Sequence, residues 1–358
     1  MSADDVLVEL RDVRKYFPVR RGIVFDRVVG QVKAVDGVSF AIRRGETFGL
    51  VGESGCGKST IGRVLLKLEE PTSGQIRFDG RDIASFDAAE TLAFRRRVQA
   101  VFQDPYSSLN PRMTVEQIVG EPLLVHGIEP SAAGRLQRVR QLLSVCGLPA
   151  RSVDRYPHEM SGGQRQRVGI ARALALRPDF IVCDEAVSAL DVSIQAQIVR
   201  LLEELQGEFG LTYLFIGHDL SVVRHICQRV AVMYLGRIAE IADSDTLFDD
   251  ACHPYTKGLL ASVPVPDPEI EHRRAHQMIQ GEIPSPMNPP SGCVFHPRCP
   301  LADESCQRSV PQLRQVGAEH EVACPKVGPA EISPAWLADK MQPDATPGHP
   351  GRGQGRFK

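Results

Sequence analysis

Residues 52–59 read GESGCGKS and fit the phosphate-binding P-loop pattern G-x-x-x-x-G-K-[ST]. The residue types account for the chemistry. Gly52, Gly55 and Gly57 let the backbone curl so that successive N–H groups, including those of Glu53, Ser54 and Cys56, point inward at phosphate oxygens. Lys58 supplies a point charge for the β- and γ-phosphates, and Ser59 a hydroxyl for Mg²⁺. Thr60 follows in the first turn of a helix whose positive end adds to the site. Further along, FIVCDE places two acids after four apolar residues. Such a strand delivers Asp184 to the Mg²⁺ shell and Glu185 to a water poised for attack on the γ-phosphate. Alone, an apolar run ending in two acids is an ordinary strand end; the P-loop upstream gives it weight.

A second concentration of reactive side chains lies near the C-terminus. Cys293, Cys299, Cys306 and Cys324 are spaced C-x5-C-x6-C-x17-C, whereas Cys56, Cys146, Cys183, Cys227 and Cys252 are scattered singly. Four thiolates suit a tetrahedral Zn²⁺ site or an iron–sulfur cluster. The paired C-x2-C knuckles of common zinc modules are absent. His296 and His320 could stand in as ligands, which keeps zinc open. Four reduced structural thiols are the third reading. The surrounding stretch is proline-rich with few long apolar runs, so it calls for some staple. Its chemistry is expected to be separable from the P-loop.

The elements that must position these groups are legible as an alternation. TFGLV, FIVC and TYLFIG are short buried-strand candidates. KSTIGRVLLKL sets Ile61, Val64, Leu65 and Leu68 on one helical face. Ile194, Ile198, Leu201, Leu202 and Leu205 recur at the same spacing between the later two strands. This is an α/β pattern with a mainly parallel sheet. RVAVMYLGRIAEI predicts two strands around a turn at Leu235-Gly236-Arg237. The stretch of about 105–160 has few strand signals and predicts a helical subdomain. Composition shifts near residue 252. The expected organisation is a main domain over 1–251, a cysteine-bearing extension over 252–325, and a flexible Gly/Pro-rich tail over 326–358 that carries Trp336.

Several classes are disfavoured by bulk properties. The net charge is -2 and only one Trp and six Tyr are present, which argues against gripping nucleic acid by bulk charge or aromatic stacking. No run approaches the roughly 20 apolar residues of a transmembrane helix. The start, MSADDVLVEL, lacks the basic and apolar regions of a secretory signal. A cytosolic protein with reduced or metal-bound cysteines is expected.

MSGGQRQRVGIARAL stands just before the FIVCDE strand, and this is where a family becomes recognisable. SGGQ between a P-loop and an apolar strand ending in Asp-Glu resembles the signature of ATP-binding cassette (ABC) ATPases, with Met160 in place of the usual leading Leu. Gln103 in VFQDPYSSLNPR looks like the Q-loop glutamine, SALD at 188–191 like the D-loop, His218 in FIGHD like the switch histidine, and Tyr16 in RKYFP like the aromatic that stacks on adenine. Singly, each has a bland reading: surface glutamine, helix N-cap for Asp191, core histidine, strand tyrosine. Their order together carries the resemblance, which spans roughly residues 6–325.

The resemblance implies a P-loop NTPase fold with a RecA-like core. It implies catalytic roles for Glu185, His218 and Gln103. Ser59, Asp184 and Gln103 would face Mg²⁺, and Ser161, Gly162, Gly163, Gln164 and Asp191 would serve the nucleotide of a facing subunit. Two ATPs would then be sandwiched between two subunits, a two-state element able to drive a partner. CDEAVSALDVSIQAQI, HPYTKGLLASVP and GEIPSPMNPPSGCVFHPRCP are similar to the ATP-binding subunits of dipeptide/oligopeptide and nickel importers. DPYSSLNPR and KYFP point to the second (F-type) of the two paralogous ATPases in such systems. Ala186 departs from the family's Pro and is expected to loosen the turn after Glu185 slightly.

The partners so implied are two transmembrane permease subunits, a paralogous ATPase or a second copy, and indirectly a substrate-binding protein. The location implied is the cytoplasmic face of the bacterial inner membrane. In this subfamily the cysteine cluster is associated with a 4Fe–4S centre, with Zn²⁺ as the alternative. A different-class alternative is a soluble ABC ATPase that acts on nucleic acid and carries a metal-bound cysteine module.

Overall fold

The computed structural model describes residues 5–21, 27–104, 108–262 and 279–327. Residues 328–358 of the expected tail, with Trp336, and the start of the helical stretch at 105–107 lie outside them.

Two sheets carry the structure. Strands β1 (Val6–Arg21), β2 (Arg27–Arg43), β4 (Ser73–Phe78) and β5 (Arg81–Asp82) form an antiparallel sheet in the order β2-β1-β4-β5. The larger sheet takes β3 (Thr47–Val51), β6 (Val98–Val101), β7 (Phe180–Asp184), β8 (Thr212–Ile216), β9 (Arg229–Tyr234), β10 (Arg237–Asp243), β11 (Arg314–Gly317) and β12 (His320–Val322). Its order is β11-β12-β10-β9-β3-β8-β7-β6, with β6, β7, β8, β3 and β9 mutually parallel.

The parallel strands are mostly apolar, with polar residues such as Thr47, Gln99, Asp184, Thr212 and Arg229 among them, as suits strands with both faces covered. Phe180, Val182, Leu214, Ile216, Ala231 and Met233 pack into a core shared with the antiparallel sheet and the helix Lys58–Leu65. Ile181, Cys183, Tyr213, Phe215, Val230 and Val232 face a second core shared with the helices of the lobe. That lobe contains the helices Val115–Val125, Ala132–Val145 and Gly162–Leu174. Thr114 and Ser131 cap the first two, which fixes where each begins.

Strands β9 and β10 meet where the sequence places the turn. Leu235 (φ 44°) and Gly236 (φ 82°) both take positive φ, as a two-residue hairpin turn requires. Beyond β10 the chain does not leave the sheet for good. β12 pairs antiparallel with β10, Glu240 opposite Val322 and Ile241 opposite Glu321, so the C-terminal strands extend the edge of the main sheet. A small apolar cluster of Cys252, Val316, Val322, Cys324 and Val327 lies beneath them.

Candidate nucleotide site and cysteine module

The P-loop follows β3 directly, and the helix Lys58–Leu65 starts at its end with Gly57 as N-cap. Two of its glycines are obligatory on steric grounds. A Cβ on Gly52 would lie 2.1 Å from the Met233 carbonyl oxygen, and one on Gly57 would lie 2.1 Å from the Ala34 carbonyl oxygen; both residues also have positive φ. Lys58 is buried, and its Nζ donates to the carbonyls of Gly52 at 2.8 Å and Glu53 at 3.1 Å. The ammonium thus sits inside the curl of the loop, held by two of its carbonyls.

The other groups reach the same edge through sheet register. Asp184 ends β7 opposite Ile216 of β8, so Glu185 and His218 emerge side by side. The N–H of Gly217 bonds the Leu50 carbonyl at 3.3 Å and ties this end of β8 to β3. Val101 of β6 lies opposite Cys183, which brings Gln103 out at the next position along the edge. All of these groups leave the carboxyl ends of parallel strands, where ligands of open α/β sheets bind.

Ser59 Oγ donates to Asp184 Oδ1 at 3.0 Å, so the two oxygens expected at Mg²⁺ are adjacent. Burial raises the Asp184 carboxyl above its usual range, while the Ser59 hydroxyl counteracts the shift. His218 Nδ1 lies 3.7 Å from Glu185 Oε2. Glu185 takes a left-handed backbone (φ 49°), held by its N–H to the Ile216 carbonyl and by Ser188, whose N–H and hydroxyl both donate to its own carbonyl. Ala186 is packed in the core at 1% exposure. The turn after Glu185 is therefore closed by hydrogen bonds and packing even without the proline.

Tyr16 comes near the P-loop through strand pairing. Residues 18–21 and 27–32 continue the paired strands β1 and β2, and Tyr16 pairs with Lys33, next to Ala34, whose carbonyl would meet a Cβ on Gly57. Its phenol donates to Asp36, and burial together with that neighbour pushes its pKa up to about 12. Asp36 is held in turn by Arg237 at 2.5 Å.

Ser161 caps the helix Gly162–Leu174 in a reciprocal capping box with Gln164. Gly163 is needed there: a Cβ would lie 2.6 Å from Ile194 Cγ2. Leu190 and Ile194, flanking Asp191, pack on Gly162 and Gly163, a contact between signature and D-loop that spacing alone did not reveal. Asp191 holds the N-cap position of the helix Val192–Phe209 but makes no side-chain cap bond, so its carboxylate is not occupied by the bland role. Met160 is buried at 4% exposure, which preserves the apolar contact of the leucine it replaces. Among the described residues, no hydrogen bond joins residues 161–164 to the chain's own P-loop.

Cys293, Cys299, Cys306 and Cys324 line one small cavity, with His253, Phe295 and His296 also in its wall. Burial raises the thiols of Cys293, Cys299 and Cys324, Cys299 to about 11. His320 is not in that wall. Its Nε2 lies 2.7 Å from Glu240 Oε1, and Cys252 completes a buried trio with them. Hydrogen bonding to Cys252 and Glu240 raises the His320 pKa to about 10. The expectation that His320 might join the four cysteines is thus corrected: the β10–β12 pairing commits it to Glu240. Glu240, fully buried, also accepts the N–H groups of Cys252 and His253 at 2.6 and 3.0 Å.

The module also touches the P-loop, a contact that sequence reading did not reveal. Arg298, next to Cys299, pairs with Glu53 at 2.8 and 3.1 Å.

Fold and site together define an ATP-binding cassette ATPase. Residues 35–188 match the ABC transporter family, and residues 239–306 match the family described as oligopeptide/dipeptide transporter, C-terminal region. The chain is 54% identical to the oligopeptide transport ATP-binding protein AppF of Bacillus subtilis, over 89% of this chain and 97% of that protein. It is 55% identical to a putative peptide import ATP-binding protein of Brucella ovis, again over 89% of this chain and 97% of the relative. Among solved structures it resembles the dimeric post-hydrolysis state of the cassette MJ0796 bound to ADP and Pi, with a TM-score of 0.58 and 30% identity over 66% of this chain and 99% of that one. It also resembles cbiO1 of Clostridium perfringens, part of the cbiONQ transporter complex, with a TM-score of 0.58 and 27% identity over 69% of this chain and 92% of that one. The chain belongs to the family of oligopeptide-transport ATP-binding proteins. No helix of the described residues is long and apolar enough to cross a membrane.

Proposed function

We propose that the chain is the ATP-hydrolysing subunit that powers peptide import through separate permease subunits on the cytoplasmic face of a bacterial inner membrane. The observation that carries this reading is the division of its site. The P-loop, Asp184, Glu185, His218 and Gln103 share one sheet edge, whereas Ser161, Gly162, Gly163 and Gln164 open a helix whose donors, among the described residues, have no hydrogen bond to that loop. Two half-sites on one chain call for a facing cassette, a second copy or a paralogue, to complete each of them. Val192, 82% exposed beside Asp191, suits such an interface.

In this reading Tyr16 offers its ring to adenine, and Ser54, Gly55 and Gly57 present backbone amides to the phosphates, while the Glu53 and Cys56 N–H groups, expected from the sequence to face phosphate, are taken by the Tyr255 hydroxyl and the Glu53 carbonyl. Lys58 neutralises β- and γ-phosphate charge, and Thr60 extends the helix N-terminus toward them. Ser59 and Asp184, with Gln103, are the oxygen donors a hard divalent cation such as Mg²⁺ takes; bound there, it would offset phosphate charge. Glu185 accepts a proton from the attacking water as the oxygen bonds phosphorus and ADP leaves. His218 sits where it can hold Glu185 and the departing phosphate in line. Asp191 reaches across to the facing subunit. The exposed apolar side chains Phe102, Leu124, Val125 and Tyr156, in or beside the lobe, suit docking against permease helices.

The four cavity-lining thiols are the donor set that a 4Fe–4S cluster takes, with Zn²⁺ as the alternative. Cys293, Cys299, Cys306 and Cys324 would hold the cluster, and its chemistry there would be that of a structural staple. Anaerobically purified protein is expected to be brown, with about four iron and four sulfide per chain. Zinc without iron would replace the cluster with the alternative metal, and neither metal would leave ordinary thiols.

The transport reading is tested in proteoliposomes that contain this chain, its paired permeases and the cognate binding protein. ATP-dependent uptake of labelled di- to pentapeptides is the expected result. ATP hydrolysis that no peptide stimulates, but that single-stranded nucleic acid does, would favour the soluble alternative.

A further inference from the structure

Every polar handle of Glu53 is held, and two of the three are held by the C-terminal extension. Its N–H donates to the Tyr255 hydroxyl at 2.9 Å. Its carbonyl accepts from Lys58 Nζ at 3.1 Å. Its carboxylate takes both ends of the Arg298 guanidinium, Nη1 to Oε2 at 2.8 Å and Nη2 to Oε1 at 3.1 Å. The Arg298 side chain is 5% exposed. It is fixed further by the Gln280 carbonyl at 3.3 Å and the Tyr234 hydroxyl at 3.4 Å, and it lies over the Tyr234 ring at 5.7 Å. Tyr234, Tyr255 and Phe295 pack on one another behind it, with ring centroids 4.6 to 5.4 Å apart.

The consequences are geometric and electrostatic. Glu53 is the second residue of the P-loop, so the setting of its peptides aims the N–H groups that follow. A two-pronged guanidinium fixes a carboxylate in direction as well as distance, which an ammonium cannot do. The carboxylate is also a negative charge within the loop that must receive a triphosphate. Unneutralised, it would repel that ligand.

We propose that Arg298 is a positioning residue for nucleotide binding, acting through Glu53 to aim the phosphate loop and cancel its one acidic side chain. This rests on the ATP-site reading above. Arg298 touches no reacting atom, so its influence falls on affinity rather than turnover. Through the adjacent Cys299, the same contact makes the thiol module a rear support of the phosphate loop.

The test measures binding of a non-hydrolysable ATP analogue with Mg²⁺, steady-state ATP hydrolysis, and far-UV circular dichroism of each variant. Arg298→Ala is expected to weaken the analogue and raise KM for ATP about tenfold, with kcat within about twofold of the parent, a loss of 1.4 kcal/mol in binding. Arg298→Lys, which keeps the charge and loses the fork, should fall between the two. Glu53→Gln should lose less than Arg298→Ala, and adding it to Arg298→Ala should recover affinity, because the stranded charge is gone. Recovery separates positioning from mere folding support, which would make the two losses add. Affinity within twofold of the parent in Arg298→Ala, or additive losses in the double variant, overturns the proposal. Should Arg298→Ala fail to fold, parent-like affinity in Arg298→Lys together with parent-like affinity in Glu53→Gln overturns it instead. A parent that binds no analogue would refute the ATP-site reading itself, a distinct outcome.

Discussion

Glu185→Gln abolishes most ATP turnover, by about 10²- to 10⁴-fold, while binding of ATP with Mg²⁺ is retained. The reason is local. Glutamine has the shape to keep the left-handed turn, whose hydrogen bonds run through the backbone to Ile216 and from Ser188. It cannot accept the proton of the attacking water. Lys58, Ser59 and Asp184 stay in place, so nucleotide still bridges two cassettes but is not consumed. Phosphate release gives the rate, and light scattering after gel filtration in ATP shows accumulation of the dimer. A parental hydrolysis rate in this variant would remove Glu185 as the base.

Lys58→Ala acts one step earlier, on binding itself. The ammonium is buried at 5% exposure and donates to two carbonyls of its own loop. Its loss removes a positive charge from the triphosphate and leaves the Gly52 and Glu53 carbonyls without that donor. Hydrogen bonds to charged groups are worth about 1.5–3 kcal/mol each, so affinity for ATP with Mg²⁺ should fall on the order of a hundredfold. Equilibrium titration against the parent checks this. Unchanged affinity at matched Mg²⁺ would take Lys58 out of the site, whatever the loop resembles.

The two variants divide the site by chemistry: one loses turnover and keeps nucleotide, the other loses nucleotide. Substitution of Arg298 should resemble a mild form of the second, although Arg298 lies 245 residues from Glu53 in the chain. That distance is why sequence reading treated the cysteine module as separable. An arginine next to a cysteine in a proline-rich stretch carries no local sign of its partner. HPY and HPR read as parts of a C-terminal motif, and only the fold shows that Tyr255 and Arg298 both close on Glu53.

What the amino-acid sequence determined by itself was whatever depends on short-range order. Glycines at 52, 55 and 57 before Lys58-Ser59, four apolar residues before Asp184-Glu185, and SGGQ opening an apolar-periodic helix each specify a local conformation and the atoms it offers. The β9–β10 turn and the buried parallel strands belong to the same class, because period and turn chemistry are written within a few residues. What only the tertiary structure decided was set by register and closure between distant segments. Tyr16 comes near the P-loop because the β1–β2 pairing sets it opposite Lys33, next to Ala34, whose carbonyl abuts Gly57. His320 leaves the cysteines for Glu240 because β12 pairs with β10. Arg298 meets Glu53 because the extension packs back on the P-loop through Tyr234, Tyr255 and Phe295. A buried carboxylate must find a donor to offset its lost hydration. Which donor it finds depends on the packing of the whole chain.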